Sequence, residues 1–205
     1  MTEALRGKIR EMILALTEAE LKDHLSSSGA FLEGHFLLSS GLHSPNYAQC
    51  ALALKDPAWA GKMGAALAAA WQGRRPDLVL SPAMGGLIIG HEVARAFGVD
   101  FIFTERENGV MTLRRGFSLP KGAGLVIVED VFTTGKSTLE TAAVAEAAGA
   151  KTLGALSIIN RMGARVLPFP SVSLLKLDLV ALPEADCPLC RAGIPAVKPG
   201  SRKFQ

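Results

Sequence analysis

Five short runs of nearly continuous apolar residues, at 77–81, 99–105, 122–130, 152–161 and 171–182, constrain this chain more than any other feature of its sequence. A strand open to water on one side alternates polar and apolar residues. A strand that is apolar throughout must be covered on both faces. Stretches with helical character fall between these runs: residues 86–97 are closed by Gly98, and residues 137–148 begin with Ser137-Thr138-Leu139-Glu140, which matches a capping box, and stop at Gly149. Strands alternating with helices predict an α/β fold with a parallel sheet, and such sheets bind ligands beyond the carboxyl ends of their strands.

Upstream, Leu5, Ile9, Ile13 and Leu16 recur at three- or four-residue steps with Arg6, Lys8, Arg10 and Glu11 between them, which predicts an amphipathic helix over residues 2–25. Residues 34–54 are punctuated by Gly, Ser, Pro and Asn and read as a small hairpin and a minor lobe. Asp56 stands as an N-cap before Pro57, opening a helix that reaches Trp71. At 205 residues the chain fits one domain. Hydrophobic residues at 49% and charged residues at 20% exclude disorder, and a net charge of +3 is too weak to indicate nucleic acid as a partner. No run reaches the ~20 apolar residues a membrane span needs. Three cysteines are too few for a disulfide framework, and residues 1–16 lack the order of a signal peptide, so a cytoplasmic protein is expected.

The strongest chemical signal is the segment from Val126 through Thr138, in which a buried strand runs into Glu129 and Asp130, then Val131 and Phe132, then the turn Thr133-Thr134-Gly135-Lys136-Ser137, then a helix. That turn can aim several backbone N–H groups and its hydroxyls at one phosphate, with the positive end of the helix behind them. Glu129 and Asp130 would repel a phosphate but can accept hydrogen bonds from a sugar diol or help to hold magnesium. Together they describe a site for a ribose 5-phosphate. A P-loop would need glycine where this chain has Asp130, which argues against a triphosphate site.

These residues are similar to the phosphoribosyl pyrophosphate signature of the type I phosphoribosyltransferases, and the chain most resembles the orotate phosphoribosyltransferase family. Residues 37–47 (LLSSGLHSPNY) resemble that family's early Ser-Gly-x-x-Ser-Pro-x-Tyr segment, residues 81–86 (SPAMGG) its pyrophosphate loop and residues 157–161 (SIINR) its strand ending in arginine, in collinear order over roughly residues 5–165. The resemblance implies a Rossmann-like parallel sheet with a small hood. The corresponding division is an N-terminal helix and hood over about 1–55, a core over about 56–182 and a tail over about 183–205. It also implies magnesium, a homodimer, and 5-phosphoribosyl 1-pyrophosphate and orotate as substrates. The ribose hydroxyls would meet Glu129 and Asp130, with magnesium held there mainly through substrate. Thr133, Thr134, Gly135, Lys136 and Ser137 would take the 5-phosphate, with Val131 and Phe132 also in the phosphoribosyl pyrophosphate site, and Ala83, Met84, Gly85 and Gly86 the pyrophosphate, with a strained or cis peptide near Ala83 and Met84. Orotate would meet Arg161, Tyr47 and Thr133.

Residues 104–120 read as a long mobile loop carrying Arg106, Arg114 and Arg115, the cations that would serve catalysis beside Asp130, with Arg106 nearest the strand end. The family's usual Lys-x-x-x-Lys-x-His is absent, and Ser39 stands where many relatives carry lysine. A purine or xanthine phosphoribosyltransferase and a non-enzymatic sensor of phosphoribosyl pyrophosphate are the alternatives. Cys187 and Cys190 form a Cys-x-x-Cys that can be half of a zinc site completed by Cys50 or a histidine. A structural site wants four ligands in recognisable pairs, so reduced thiols in a docked tail are the expectation.

Overall fold

The structure, a computed structural model, describes residues 16–38, 40–177 and 180–198. Leu5, Ile9 and Ile13 of the expected first helix, Ser39, residues 178–179 and the end of the tail lie outside the described residues.

Helix α1 is Glu18–Ser27, with Thr17 as its N-cap. Thr17 is extended (φ −80°, ψ 154°) and makes a reciprocal capping box with Glu20, so the expected helix over residues 2–25 is interrupted there. Its Leu21 and Leu25 are buried in the core. The expected hairpin is present as strands β1 (Phe31–Leu37) and β2 (His43–Ala48), paired antiparallel with Leu37 opposite His43. It stops earlier than its sequence suggests, and Cys50–Leu54 forms a short helix, α2. Helix α3 (Pro57–Ala70) starts where Asp56 accepts hydrogen bonds from the backbone N–H of Ala58 (2.9 Å) and Trp59 (3.4 Å), with Pro57 in the first turn.

The remaining strands form one six-stranded sheet: β3 (Leu78–Pro82), β4 (Asp100–Glu107), β5 (Val110–Leu113), β6 (Gly124–Phe132), β7 (Lys151–Asn160) and β8 (Ser171–Lys176). Their spatial order is β5-β4-β3-β6-β7-β8, with every pair parallel except β4 and β5. All five apolar runs are strands, although the last ends at Lys176.

The alternation within each run explains the layers. Val79, Val126, Val128, Leu156 and Ile158 point into one apolar cluster with Met63 and Leu67 of α3 and with Ile89 and Val93 of helix α4 (Gly86–Phe97). Leu78, Leu80, Leu125, Ile127 and Ala155 point into another with Ala142 and Ala145 of helix α5 (Lys136–Ala147). Leu125 through Val128 are fully buried, and each such side chain contributes roughly 2 kcal/mol of transfer free energy. The sheet is therefore covered on both faces, with its strand ends free to carry chemistry.

Residues 104–120 are not a structureless loop. β4 runs on to Glu107, turns at Asn108 (φ 51°) and Gly109 (φ 84°), and returns as β5. Positive φ at both turn residues is the type I′ geometry that Asn-Gly favours, because it matches the twist of the two strands. The tail packs on the hood. A single 3₁₀ turn at Glu184–Asp186 leads into the one-turn helix α6 (Pro188–Arg191).

Candidate functional site

The carboxyl ends of β3, β6 and β7 bring three sequence motifs together. β6 carries the acids. Successive residues of a strand face opposite ways, so Glu129 and Asp130 diverge. Glu129 accepts a hydrogen bond from Thr138 Oγ1 of α5 at 2.6 Å. Asp130 turns toward the loop before α4, where a Cβ added to Gly85 would lie 2.5 Å from its Oδ1. That contact is why position 85 must be glycine, since any side chain would collide with the carboxylate. The loop follows β3, and its Ala83–Met84 peptide is cis, as the family resemblance implies. Ala83 N–H donates to Thr104 O at 2.7 Å, Met84 is 80% exposed, and a Cβ on Gly86 would lie 2.6 Å from Val128 O.

After Asp130 the chain passes through half-buried Val131 and wholly buried Phe132 into the turn. Phe132 sits in the core beside α5, which leaves only its backbone for a ligand. Its carbonyl accepts from Arg161 N–H at 2.8 Å, so Thr133 begins the turn next to the arginine. Thr133, Thr134 and Lys136 are exposed, and Ser137 is half-exposed. Gly135 is left-handed (φ 76°) and is the N-cap of α5. The capping box expected from Ser137 to Glu140 does not form; the N-cap is Gly135, which has no side chain, and Thr134 Oγ1 accepts from Lys136 N–H at 3.3 Å. Thr138 is engaged by Glu129, and Glu140 pairs with Arg106. Beyond Lys136, no side chain of the described residues takes the N–H groups of the first turn of α5 at this solvent-facing end, an arrangement suited to a phosphate.

Burial dominates the electrostatics. Glu129 is raised from 4.5 to about 7, mainly by desolvation, with Thr138 opposing and the neighbouring Asp130 adding to the rise. Asp130 is also raised by burial, against a hydrogen bond from Val131 N–H at 2.9 Å. Two carboxylates held out of water in this way favour cations or donor-rich ligands beside them.

Arg161 follows β7. Desolvation lowers its pKa, while the negative forms of Tyr47 and Cys50 would raise it, so these groups lie close enough to interact. Its Nε is buried and has no hydrogen-bond partner among the described residues. Tyr47 reaches this position from β2 of the hood, half-buried with its ring 5.8 Å from that of Phe36. Cys50 lies beneath Asp130, with Sγ 3.9 Å from its carbonyl, and is not among the side chains grouped with Cys187 and Cys190, which meet two histidines instead.

The three arginines separate by strand face. Arg106 pairs with Glu140 of α5 and donates to Gly109 O at 2.8 Å, on the side where Thr104 bonds Thr141 at 3.0 Å. Lys136 lies 3.9 Å from the same Glu140. Arg115 forks onto Glu105 at 3.1 and 3.0 Å, and Arg114 reaches Glu107 at 3.2 Å. Glu105 and Arg106 are adjacent in β4 and so project to opposite faces. Only Arg106 is joined to the helix that carries the phosphate turn. Sequence reasoning missed Thr138 and Glu140 as partners of the site. The signal was available in Thr104 and Arg106, whose even spacing on a strand faces them both toward α5.

Two concavities of about 450 and 580 Å³ lie elsewhere, one beside Leu25, Phe31 and Leu177 and one at the opposite end of the sheet beside Asp77, Asp100 and Lys121.

Residues 60–178 match the phosphoribosyl transferase domain family. An orotate phosphoribosyltransferase of Pelotomaculum thermopropionicum is 47% identical over 190 residues, covering 92% of this chain and all of that protein. One from Thermotoga maritima is 46% identical over 183 residues, covering 89% and 98%. Among solved structures, orotate phosphoribosyltransferase from Aeropyrum pernix superposes with a TM-score of 0.65 at 28% identity, covering 77% of this chain and 93% of that one.

Proposed function

The chain belongs to the orotate phosphoribosyltransferases, within the phosphoribosyl transferase domain family, and from that premise we propose how its own residues carry the reaction. Ribose 5-phosphate passes from 5-phosphoribosyl 1-pyrophosphate to a ring nitrogen of orotate, giving orotidine 5′-monophosphate and pyrophosphate for pyrimidine nucleotide synthesis. The bond from C1 to the pyrophosphate oxygen breaks, its electron pair leaves with pyrophosphate, and the nitrogen lone pair bonds to C1 from the opposite face. The proton of that nitrogen is lost to solvent.

One observation carries the assignment. The N-terminus of α5, opened by Gly135, and the cis Ala83–Met84 loop flank the same pair of buried acids. A ligand that spans them carries a phosphate at one end, a diol in the middle and a second large anion at the other. In this reading the backbone of residues 133–137 and the hydroxyls of Thr133, Thr134 and Ser137 hold the 5-phosphate, with Lys136 adding charge. Glu129 and Asp130 accept from the ribose hydroxyls. Gly85 and Gly86 let the loop backbone close on pyrophosphate.

Arg161 would meet the orotate carboxylate, because a guanidinium with an unused buried donor suits a planar bidentate anion. Tyr47 supplies a ring face from the hood, and Thr133 a hydroxyl from the turn. Arg106, which pairs with Glu140, would neutralise leaving-group charge by exchanging Glu140 for pyrophosphate, with Arg114 and Arg115 in reserve on the other face.

Magnesium fits the donor set. Its habit is to keep substrate oxygens and take one or two carboxylates, and Asp130 and Glu129 offer one from each side of the strand. When bound it would add positive charge to the departing pyrophosphate.

The reading extends to a homodimer in the cytoplasm, as the family resemblance suggests. Among the described residues no helix is long and apolar enough to cross a membrane. A purine or xanthine substrate and a sensor role are not favoured, since relatives at 43 to 47% identity are all named for orotate. The deciding assay supplies phosphoribosyl pyrophosphate with orotate or with a purine panel. Orotidine monophosphate alone should accumulate, and purine nucleotide formation without orotate turnover would overturn the assignment.

A further inference from the structure

The tail cysteines meet two histidines of the hood, and the four form the one group of three or more histidine, cysteine or acidic side chains among the described residues that could hold a metal ion. The ligating atoms of His35, His43, Cys187 and Cys190 all lie within 4.8 Å of one another. Cys190 Sγ is 3.2 Å from His43 Nδ1 and 3.6 Å from His35 Nε2, and Cys187 Sγ is 3.4 Å from His35 Nε2. The two ring nitrogens are 2.7 Å apart. We propose that these four side chains bind a structural zinc ion that fastens the C-terminal tail to the hood.

The distances suit a tetrahedral ion. Sulfur at ~2.3 Å and nitrogen at ~2.0 Å from zinc place sulfur and nitrogen roughly 3.5 Å apart, close to the spacings observed, and require the two nitrogens to part by only about 0.6 Å. Two thiolates with two imidazoles select zinc over the hard cations, which prefer oxygen. The outer contacts agree. His35 Nδ1 lies 2.7 Å from Ile194 O, and a carbonyl only accepts, so Nδ1 carries the proton. Nε2 of the neutral ring then presents its lone pair to the thiols, the tautomer and orientation a metal-binding histidine needs. His35, His43 and Cys187 are 4%, 7% and 3% exposed, so water is largely excluded.

The geometry follows from the chain. His43 faces Leu37 across the hairpin, and Leu37 and His35 share a side of β1, so both imidazoles emerge on one face. Cys187 precedes the single turn of α6 and Cys190 lies within it, so both thiols face the hairpin together. Backbone contacts fix the same docking. His43 and Leu182 exchange hydrogen bonds of 2.8 and 2.9 Å, Leu37 N–H donates to Val197 O at 2.9 Å, and Val197 N–H donates to His35 O at 2.8 Å. The ion would thus join residues about 150 positions apart, the kind of long closure from which a metal clip gains most.

Metal content of the purified protein decides the matter, independently of any activity. Protein prepared with reductant from zinc-supplemented cells should carry about one zinc per chain by plasma mass spectrometry, and Cys190→Ser and His43→Asn should each cut this to below about a tenth. Wild-type apoprotein titrated with cobalt(II) should develop tetrahedral ligand-field bands and a thiolate-to-cobalt charge-transfer band. That readout needs no variant to fold. Zinc at background together with no cobalt spectrum would overturn the proposal. So would undiminished zinc in the double variant Cys187→Ser/Cys190→Ser, or a Cys187–Cys190 disulfide that, once reduced, takes up no metal.

Discussion

Glu129 keeps its proton up to about pH 7 because the strand end that carries it withdraws it from water. Its folded value lies above the ordinary 4.5, so protonated Glu129 adds stability at low pH that is lost as pH rises through about 7. Ligand-free protein should therefore melt at a lower temperature at pH 8 than at pH 5, and Glu129→Gln should narrow that gap in a calorimetric scan. Binding runs the other way. A diol is best accepted by the ionised carboxylate, so affinity for phosphoribosyl pyrophosphate should fall about tenfold from pH 8 to pH 6, the cost of removing one proton from a group titrating near 7. Titration calorimetry at the two pH values checks this, and Glu129→Gln should flatten the dependence. Arg161 makes a different prediction. Replacing it with Gln should lower kcat/KM for orotate about a hundredfold while leaving the affinity for phosphoribosyl pyrophosphate within about threefold. A matching loss of both would place Arg161 outside the base pocket.

The β4–β5 hairpin shows what sequence reading could and could not reach at the scale of an element. The five sheet-forming runs were legible because fully buried strands are apolar throughout. β5 was not, since it lies at the sheet edge and only Met111 among its residues is buried. Asn108-Gly109 announced the turn, but Arg106, Glu107, Arg114 and Arg115 around it resemble a solvated loop. The false capping box at Ser137 failed because the helix already starts at Lys136 with Gly135 as its N-cap, and Glu140 pairs with Arg106 of β4. Likewise, nothing local in Cys-Pro-Leu-Cys points to His35 and His43. The acids, the turn and Arg161 were readable because each sits at the end of a strand. The hairpin supports a test. Gly109→Ala forces an L-residue into φ 84°, a cost of about 1 kcal/mol confined to the turn. With Arg106 held by the Gly109 carbonyl, kcat should drop several-fold while the melting temperature of the whole protein shifts little, as circular dichroism and steady-state rates would report.

At the scale of the whole molecule, one sheet separates two apolar layers, and its central strand belongs to both. Ile127 is fully buried in the layer under α5. Ile127→Ala should cost about 3 kcal/mol in urea denaturation, through lost transfer energy and the cavity left behind. Sedimentation should give twice the 21.6 kDa of the chain if the proposed homodimer holds. The two-stranded hood is tied at one margin to Leu182 and at the other to Val197. A ribosome exposes these partners long after it has released the hairpin itself. The hood must therefore wait, unfinished, until the segments that bind its flanks have been synthesised, and a growing chain should gain its hood only after its sheet.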